Sequence, residues 1–226
     1  MKNKEVINHI VNWLKNYAQD NKMNGFVVGV SGGIDSALTS TLCAKTGLPT
    51  LCLEMPIKQQ QSQVDRAQEH IRWLRKHHTN VAEKMVLLYP VFDALSKAVE
   101  ADEQKNEDLL SLANTRARLR MVTLYYYAAC KRYLVAGTGN KVEDFGVGFY
   151  TKYGDGGVDL SPIADLSKTQ VRALASTLGV DQKILNAPPT DGLWDDGRND
   201  EEQLDATYEQ LEWACLLYTS DAADED

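Results

Sequence analysis

The sequence of 226 residues has only four cysteines, and none of them forms a CxxC pair or lies near a histidine at metal-ligand spacing. This pattern argues against a zinc site and favours reduced thiols, as in cytoplasmic proteins. Long hydrophobic runs are absent as well: the longest, at residues 26–30 and 86–89, are far shorter than the roughly 20 residues of a membrane-spanning helix. We therefore expect a cytoplasmic protein that does not enter the membrane.

Basic residues are also fewer than acidic residues. The chain has 24 basic side chains against 32 acidic ones, which gives a net charge of −8. Because nucleic-acid binding depends on attraction between phosphates and basic side chains, no nucleic-acid partner is expected. A hydrophobic fraction of 43% and a charged fraction of 25% are typical of globular proteins, and the length suits one domain with elaborations.

Short apolar runs alternate with helical patterns along the chain. Buried parallel strands are predicted from apolar runs at residues 26–30, 50–53, 85–89 and 133–136. Helices are predicted from apolar spacing at about residues 7–17, 35–45, 63–76 and 108–132. This alternation predicts an α/β fold with a doubly wound, mostly parallel, Rossmann-like sheet and helices on both faces. Two long loops, at residues 137–159 and 186–201, are expected to be functional or mobile.

The sequence SGGIDS at residues 31–36 follows the first predicted strand and opens a helix. Backbone N–H groups and the helix dipole at such a position can hold a phosphate, and the glycines let it approach closely. Asp35 offers a hard oxygen ligand to magnesium, and Ser31 and Ser36 offer hydroxyls to phosphate oxygens. No lysine follows the glycines, so this is not a Walker A loop. The alternative is a plain glycine turn in which Asp35 and Ser36 cap the helix.

SGGIDS resembles the PP-loop of the N-type ATP pyrophosphatases, which have the adenine nucleotide alpha hydrolase type of fold and cleave ATP between the α and β phosphates. Further stretches are similar to the NAD synthetase family. They are NTRARLRM at 114–121, GTGNKVE at 137–143, TKYGDGGVD at 151–159, SPI at 161–163 and LSK at 166–168. The resemblance implies ligation of ammonia to deamido-NAD at the expense of ATP, with release of AMP and pyrophosphate, the last step of NAD biosynthesis.

The resemblance also implies roles for individual residues. ATP would be bound by Gly29, Val30, Ser31, Gly32, Gly33, Ile34, Asp35, Ser36, Thr138, Lys168 and Thr190. Deamido-NAD would be bound by Asn114, Arg118, Lys152 and Asp159. Magnesium would be held by Asp35 and Glu143, with Asp144 as the alternative to Glu143. Asp155 and Lys168 would be catalytic.

The residue types alone also allow purely structural roles for several of these side chains. Arg118 can belong to a solvated, salt-bridged helix face, and Thr138 and Thr190 can be ordinary loop or capping hydroxyls. Lys168 is more unusual, because it lies at a predicted helix start, where the helix dipole already favours anions. A nearby phosphate would explain it. The four histidines have no triad partner and are expected at the surface.

Two other functions compete with the one that the resemblance implies. A GMP synthetase-like amidotransferase domain is disfavoured by the GDGG loop at residues 154–157. A nucleotide-binding module without turnover is disfavoured by the two candidate magnesium ligands, Asp35 and Glu143.

No nitrilase-like domain with a catalytic cysteine is present, so we expect free ammonia as the nitrogen source. The family implies a homodimer. Glu54 departs from the family, whose members often have a basic or neutral residue there.

The last twelve residues, CLLYTSDAADED at 215–226, resemble the translation of a transposase-type sequencing adapter. They are also expected to break the helical pattern set by the preceding residues Leu204, Tyr208, Leu211 and Glu212. We therefore expect a single NAD synthetase-like domain at residues 1–214 that lacks the C-terminal His-Lys segment of the family. A genuine acidic, frayed terminus is the alternative.

Overall fold

The computed structural model describes residues 1–190 and 199–221, and within them the sheet has four strands. The strands are β1 (Gly25–Gly29), β2 (Thr50–Glu54), β3 (Val81–Met85) and β4 (Tyr133–Val135). The α-helices are α1 (Asn3–Asp20), α2 (Ile34–Lys45), α3 (Gln61–His77), α4 (Tyr89–Ala98), α5 (Asn106–Lys131), α6 (Lys168–Leu178), α7 (Gln182–Leu185), α8 (Asp200–Leu204) and α9 (Tyr208–Asp221), and a π-helix spans Lys141–Val147.

All paired strands are parallel, in the order β3-β2-β1-β4. The central strand β1 is aligned so that Val27 lies beside both Leu51 and Val135. From β1 the chain builds outward in one direction through β2 and β3 and then returns to place β4 on the other side. In sheets of this kind, ligands bind outside the carboxyl ends of the strands where this direction changes. The end of β1 is therefore where a site is expected.

Helices cover both faces of the sheet, as predicted. On one face Phe26 and Val28 pack with α1, α2 and α6, and α3 lies on the same side over Cys52. On the other face Val27, Leu51 and Leu53 pack against α5 and against Phe92 of α4. Strands buried on both faces are continuous apolar runs, which is why β1 and β2 are recognisable in the sequence. No helix among the residues that the structure describes is long and apolar enough to cross a membrane.

The third strand lies four residues before its predicted position. The prediction of a strand at residues 85–89 is wrong: β3 is Val81–Met85, and Tyr89 already begins α4, with Pro90 in its first turn. The strand is at the edge of the sheet, and four of its five residues are exposed, so it has no apolar run to mark it. The apolar residues Val86 and Leu88 pack against the core from the connection.

The C-terminal region also differs from expectation. The helical pattern does not stop at residue 215, because α9 continues to Asp221. Cys215 lies against the π-helix, where its sulfur occupies the space that a side chain at Gly146 would need. The adapter origin of residues 215–226 stays a prediction. Residues 191–198 of the second predicted loop, and residues 222–226 of the tail, lie outside the described residues.

His70 is not at the surface, so that expectation is wrong. Its side chain is 2% exposed, because α3 turns it towards α2. There His70 Nε2 is 3.0 Å from Ser40 Oγ, and the ring stacks on Trp73. Burial lowers the pKa of His70 to about 4. The imidazole is therefore neutral in the folded protein at physiological pH.

This buried histidine makes stability depend on pH. The unfolded chain binds a proton at His70 below about pH 6.5, whereas the folded chain does so only near pH 4. We expect the free energy of unfolding to fall by about 3 kcal/mol from this group as the pH drops through that window. Urea melts at several pH values should give a flatter profile for His70→Gln than for wild type. The exposed His9→Gln is the control, and parallel profiles for His70→Gln and wild type would contradict the assignment.

Candidate active site

A cavity of about 270 Å³ opens at the carboxyl ends of β1 and β2. Its apolar part is formed by Leu53, Met55, Pro56, Met121 and Leu124, and its polar part by loops that follow β1 and β4. Thirteen predicted site residues line it: Gly29, Val30, Ser31, Gly33, Ile34, Asp35, Ser36, Thr138, Glu143, Asp144, Asp155, Lys168 and Thr190. The cavity therefore brings together sequence motifs that lie more than 150 residues apart.

The loop at residues 31–36 forms an open cradle at the start of α2. Gly33 is the N-cap and has no side chain to satisfy the first N–H groups of the helix. The two serines are tied to the loop, because Ser36 Oγ donates to the Gly33 carbonyl (3.0 Å) and lies 3.1 Å from Ser31 Oγ. Asp35 and Ser36 are thus in the first turn and do not cap it. Uncapped N–H groups at the positive end of a helix are suited to an anion.

Gly32 is the position in this loop that requires glycine. Its φ is +83°, and a Cβ there would collide with the carbonyl of Gln63 on α3. Arg66 Nε donates to the Gly32 carbonyl at 3.2 Å and holds the loop against α3. Gly32 does not line the cavity; it bends the loop so that its neighbours do. Its predicted role in ATP binding stays a prediction.

A buried cation lies between two carboxylates at the polar end of the cavity. Lys168, the first residue of α6, is 3% exposed, and its Nζ is 2.6 Å from Asp35 Oδ2 and 2.8 Å from Glu143 Oε1. Burial alone would lower the pKa of Lys168, but the charges of Asp35 and Glu143 raise it above its usual value. The same ammonium outweighs burial at Glu143 and lowers the pKa of that carboxyl. At Asp35 burial outweighs the same attraction, so the pKa of that carboxyl is raised above its usual value.

Asn140 orients both carboxylates. Its side chain is fully buried, donates to Asp35 Oδ1 (3.1 Å) and accepts from the N–H groups of Val142 and Glu143 at the start of the π-helix. This arrangement places Glu143 beside Asp35. The alternative ligand Asp144 lies over Gly139, where no Cβ would fit. Burial and the charges of Asp155, Glu143 and Asp35 raise the pKa of Asp144 to about 7.

The four residues predicted to bind deamido-NAD lie outside the cavity lining. Asn114 Oδ1 accepts from Thr151 Oγ1 (2.7 Å), and Arg118 Nε donates to the Lys152 carbonyl (3.1 Å), so α5 supports the GDGG loop. The carboxylate of Asp159 accepts from the Tyr125 hydroxyl (2.9 Å) and from the Val135 N–H (2.8 Å). Their role in binding the dinucleotide stays a prediction.

Three residues at the polar end of the cavity were not predicted from the sequence. Asn140 lies inside a quoted motif but was given no role. Asp200 and Tyr208, 5% and 6% exposed, come from α8 and α9. The Tyr208 hydroxyl donates to Glu143 and lies 3.2 Å from Asp200 Oδ2. Burial and the charges of Glu143 and Asp200 raise the pKa of Tyr208, so it is a donor. A lone tyrosine in an acidic segment carries no sequence signal of this contact.

The family model of NAD synthase matches residues 6–226. The chain belongs to the NAD synthase family. An NH(3)-dependent NAD(+) synthetase of Carboxydothermus hydrogenoformans is 38% identical over 213 residues, which are 92% of this chain and 83% of that protein.

Two solved structures extend this similarity. NMN synthetase from Francisella tularensis is 36% identical with a TM-score of 0.85, over 93% of this chain and 84% of that chain. An NH3-dependent NAD synthetase from Campylobacter jejuni, solved with a nitrate ion, is 31% identical with a TM-score of 0.72, over 82% and 77% of the two chains. The Rossmann-like fold predicted from the sequence is thus confirmed.

The donor set at the polar end fits magnesium. Among the residues that the structure describes, no group of three or more histidine, cysteine or acidic side chains is arranged to hold a metal alone. Magnesium in nucleotide sites is usually bound by one or two carboxylates together with phosphate oxygens and waters. Asp35 and Glu143 are two such carboxylates, and they lie beside the anion cradle of α2.

The central ion cluster leads to a stability prediction. Lys168→Met should lower the free energy of unfolding by about 3–5 kcal/mol, because two buried carboxylates would lose their cation. Chemical denaturation without divalent ions measures this loss. Lys183→Met is the matched control, since Lys183 forms an ion pair with Glu69 at the surface and its loss should change little. Equal effects of the two substitutions would show that the cluster is not a stabilising element.

Proposed function

We propose that this protein ligates ammonia to deamido-NAD in an ATP-dependent reaction that yields NAD, AMP and pyrophosphate. The observation that carries the proposal is the cavity in which an uncapped helix N-terminus lies beside the Lys168, Asp35 and Glu143 cluster. Membership of the NAD synthase family supports the same reaction.

The chemistry requires activation of a carboxylate. The nicotinate carboxylate is a poor electrophile with no competent leaving group, so transfer of AMP to one of its oxygens provides one. We assign the N–H groups at the start of α2 to the phosphates of ATP, where they stabilise charge on the departing pyrophosphate. Thr138 and Thr190 line the same cavity and offer hydroxyls to the nucleotide. The apolar end, with Leu53, Met55 and Met121, suits the adenine base.

Asp35 and Glu143 are assigned as the residues that would hold magnesium. When bound, the metal neutralises charge on the ATP phosphates and on the leaving pyrophosphate. Lys168 holds the two carboxylates in place and adds a further positive charge at the phosphates. Glu143 is preferred to Asp144 because it shares Lys168 with Asp35, at distances below 3 Å.

Asp155 is assigned as the base that takes a proton from ammonium. It lines the cavity, and its Oδ1 accepts from the Thr151 N–H (3.0 Å), which fixes the carboxylate in the GDGG loop. Neutral ammonia then attacks the adenylated carbonyl carbon, the amide bond forms and AMP leaves. Proton removal is required because only the neutral form has a lone pair.

A mononucleotide acceptor is the second candidate. It is favoured by the similarity to NMN synthetase from Francisella tularensis, at a TM-score of 0.85. The activated group would be the same nicotinate carboxylate, so the cavity for ATP and the ion cluster would serve both reactions. The two candidates differ only in whether the acceptor carries a second nucleotide.

Purified protein tests these assignments by AMP formation from ATP. We expect turnover with deamido-NAD and ammonium, a rate at limiting ammonium that rises with pH as neutral ammonia increases, and none with glutamine. Replacing deamido-NAD by nicotinic acid mononucleotide in parallel reactions ranks the two acceptors by kcat/KM. Glutamine-driven amide formation would contradict the ammonia-dependent reaction, and a higher kcat/KM for the mononucleotide would favour the second candidate.

A homodimer and the cytoplasm are the proposed assembly and compartment. Helix α5 buries one face, yet its other face exposes Val122 (68%) and Tyr126 (63%), one turn apart. A helix that is apolar on two faces is normally covered on both. This supports pairing of α5 with a second copy of the chain. The buried thiols of Cys43 and Cys52 form no disulfide in the part of the chain that the structure describes, which supports a reducing compartment.

The assembly proposal predicts the effect of charge on α5. Wild-type protein should elute as a dimer in size-exclusion chromatography with light scattering, and Val122→Glu combined with Tyr126→Glu should elute as a monomer, because burying two carboxylates is costly. Trp13→Glu on α1 is the control and should leave the dimer intact. A monomeric wild-type protein would overturn the proposal.

A further inference from the structure

Tyr208 is a buried tyrosine whose hydroxyl points at the ion cluster. It begins α9 and is 6% exposed. Its hydroxyl donates to Glu143 Oε1, and the same oxygen accepts from Lys168 Nζ at 2.8 Å. Lys168 Nζ also lies 5.0 Å from the centre of the Tyr208 ring, within range of a cation–π contact. Glu143 Oε1 therefore accepts hydrogen bonds from two donors, the Tyr208 hydroxyl and Lys168 Nζ.

The backbone around Tyr208 is held as firmly as its side chain. Its N–H donates to Glu201 Oε1 (2.7 Å), and the N–H of Asp200 donates to the Pro189 carbonyl (3.1 Å). On the next turns of α9, Glu212 accepts from the N–H of Thr169 at the start of α6 (2.6 Å). Helices α8 and α9 are thus anchored on the cluster itself, and the phenol has little freedom to leave it.

The chemistry of these contacts differs from that of a tyrosine used for packing. Both groups within reach of the hydroxyl, Glu143 and Asp200, are carboxylates. Charge-assisted hydrogen bonds of this kind are stronger than neutral ones and fix the orientation of the acceptor. Phenylalanine would fill the same space but would leave Glu143 with one donor fewer.

We infer that Tyr208 is a positioning residue, whose hydroxyl acts with Lys168 to hold Glu143 Oε1 so that the carboxylate faces the divalent cation accompanying ATP. The inference rests on the proposed function, because it takes Glu143 as a ligand of that cation. It also gives the C-terminal helices a part in the reaction through Glu143.

The test measures divalent cation binding directly. Mn²⁺ is titrated by electron paramagnetic resonance in the presence of a non-hydrolysable ATP analogue. For Tyr208→Phe we expect the dissociation constant to rise about ten-fold, as expected for loss of one hydrogen bond to a charged group. The matched control is Tyr17→Phe on α1, which should bind as wild type does. In kinetics, the Mg²⁺ concentration for half-maximal rate should rise similarly while KM for deamido-NAD is unchanged.

A double-mutant cycle shows whether Tyr208 acts through Glu143. In a Glu143→Gln background, Tyr208→Phe should have no further effect on Mn²⁺ binding. Unchanged Mn²⁺ affinity in folded Tyr208→Phe would overturn the inference, and so would equal effects in both backgrounds. A fall in melting temperature with activity lost equally at every Mg²⁺ concentration would show a purely structural role. Mn²⁺ binding requires no amidation, so failure of the proposed reaction in wild type is a separate result.

Discussion

The structure of the site depends on one buried ammonium. Lys168 lies between Asp35, 133 residues earlier in the chain, and Glu143, 25 residues earlier. A charge removed from water is tolerated only where opposite charges and hydrogen bonds replace the lost hydration. The start of α2, the π-helix and the start of α6 must therefore meet at one point. Asn140 and Tyr208 complete the cluster by satisfying the carboxylates that Lys168 does not fully neutralise.

Among the helix N-termini that the structure describes at this cluster, those of α2 and α6 differ in how far they are capped. At α6 the Ser167 hydroxyl and the Gln170 side chain form a capping box, and Glu212 accepts from the N–H of Thr169. At α2 the N-cap is Gly33, which has no side chain to do this. An anion that enters the cavity therefore finds its donors at α2. The position expected for a phosphate thus depends on which helix has uncapped N–H groups, and not only on the direction of the helices.

The sequence predicted those parts of the fold that are encoded by local patterns. Strands β1 and β2 are buried on both faces, and the phosphate loop follows β1 directly, so their signals are short and continuous. Strand β3 was misplaced because an exposed edge strand has no apolar run. His70 was misplaced because a polar side chain can be buried when it has a hydrogen-bond partner that is distant in sequence, here Ser40. Local patterns contain no information about such partners.

The same distinction applies to the candidate site. The PP-loop and the GDGG loop are contiguous motifs, and thirteen predicted site residues from these and other segments line one cavity. Asp200 and Tyr208 belong to a segment with ordinary acidic and helical composition, and their proximity to Glu143 follows only from how α8 and α9 dock. Contacts between segments 65 residues apart, such as that between Tyr208 and Glu143, depend on the tertiary structure.

The charges of the cavity are divided in the way that a metal–nucleotide complex requires. At the start of α2 the backbone N–H groups supply partial positive charge, and the Arg66 guanidinium at the Gly32 carbonyl adds a cationic side chain. At the ion cluster the carboxyl groups of Asp35, Glu143 and Asp200 surround the ammonium of Lys168. Free ATP would be repelled by these carboxylates, whereas a divalent cation on its phosphates would be attracted to them. The arrangement therefore favours the nucleotide in its metal-bound form, with phosphates towards α2 and the cation towards Glu143.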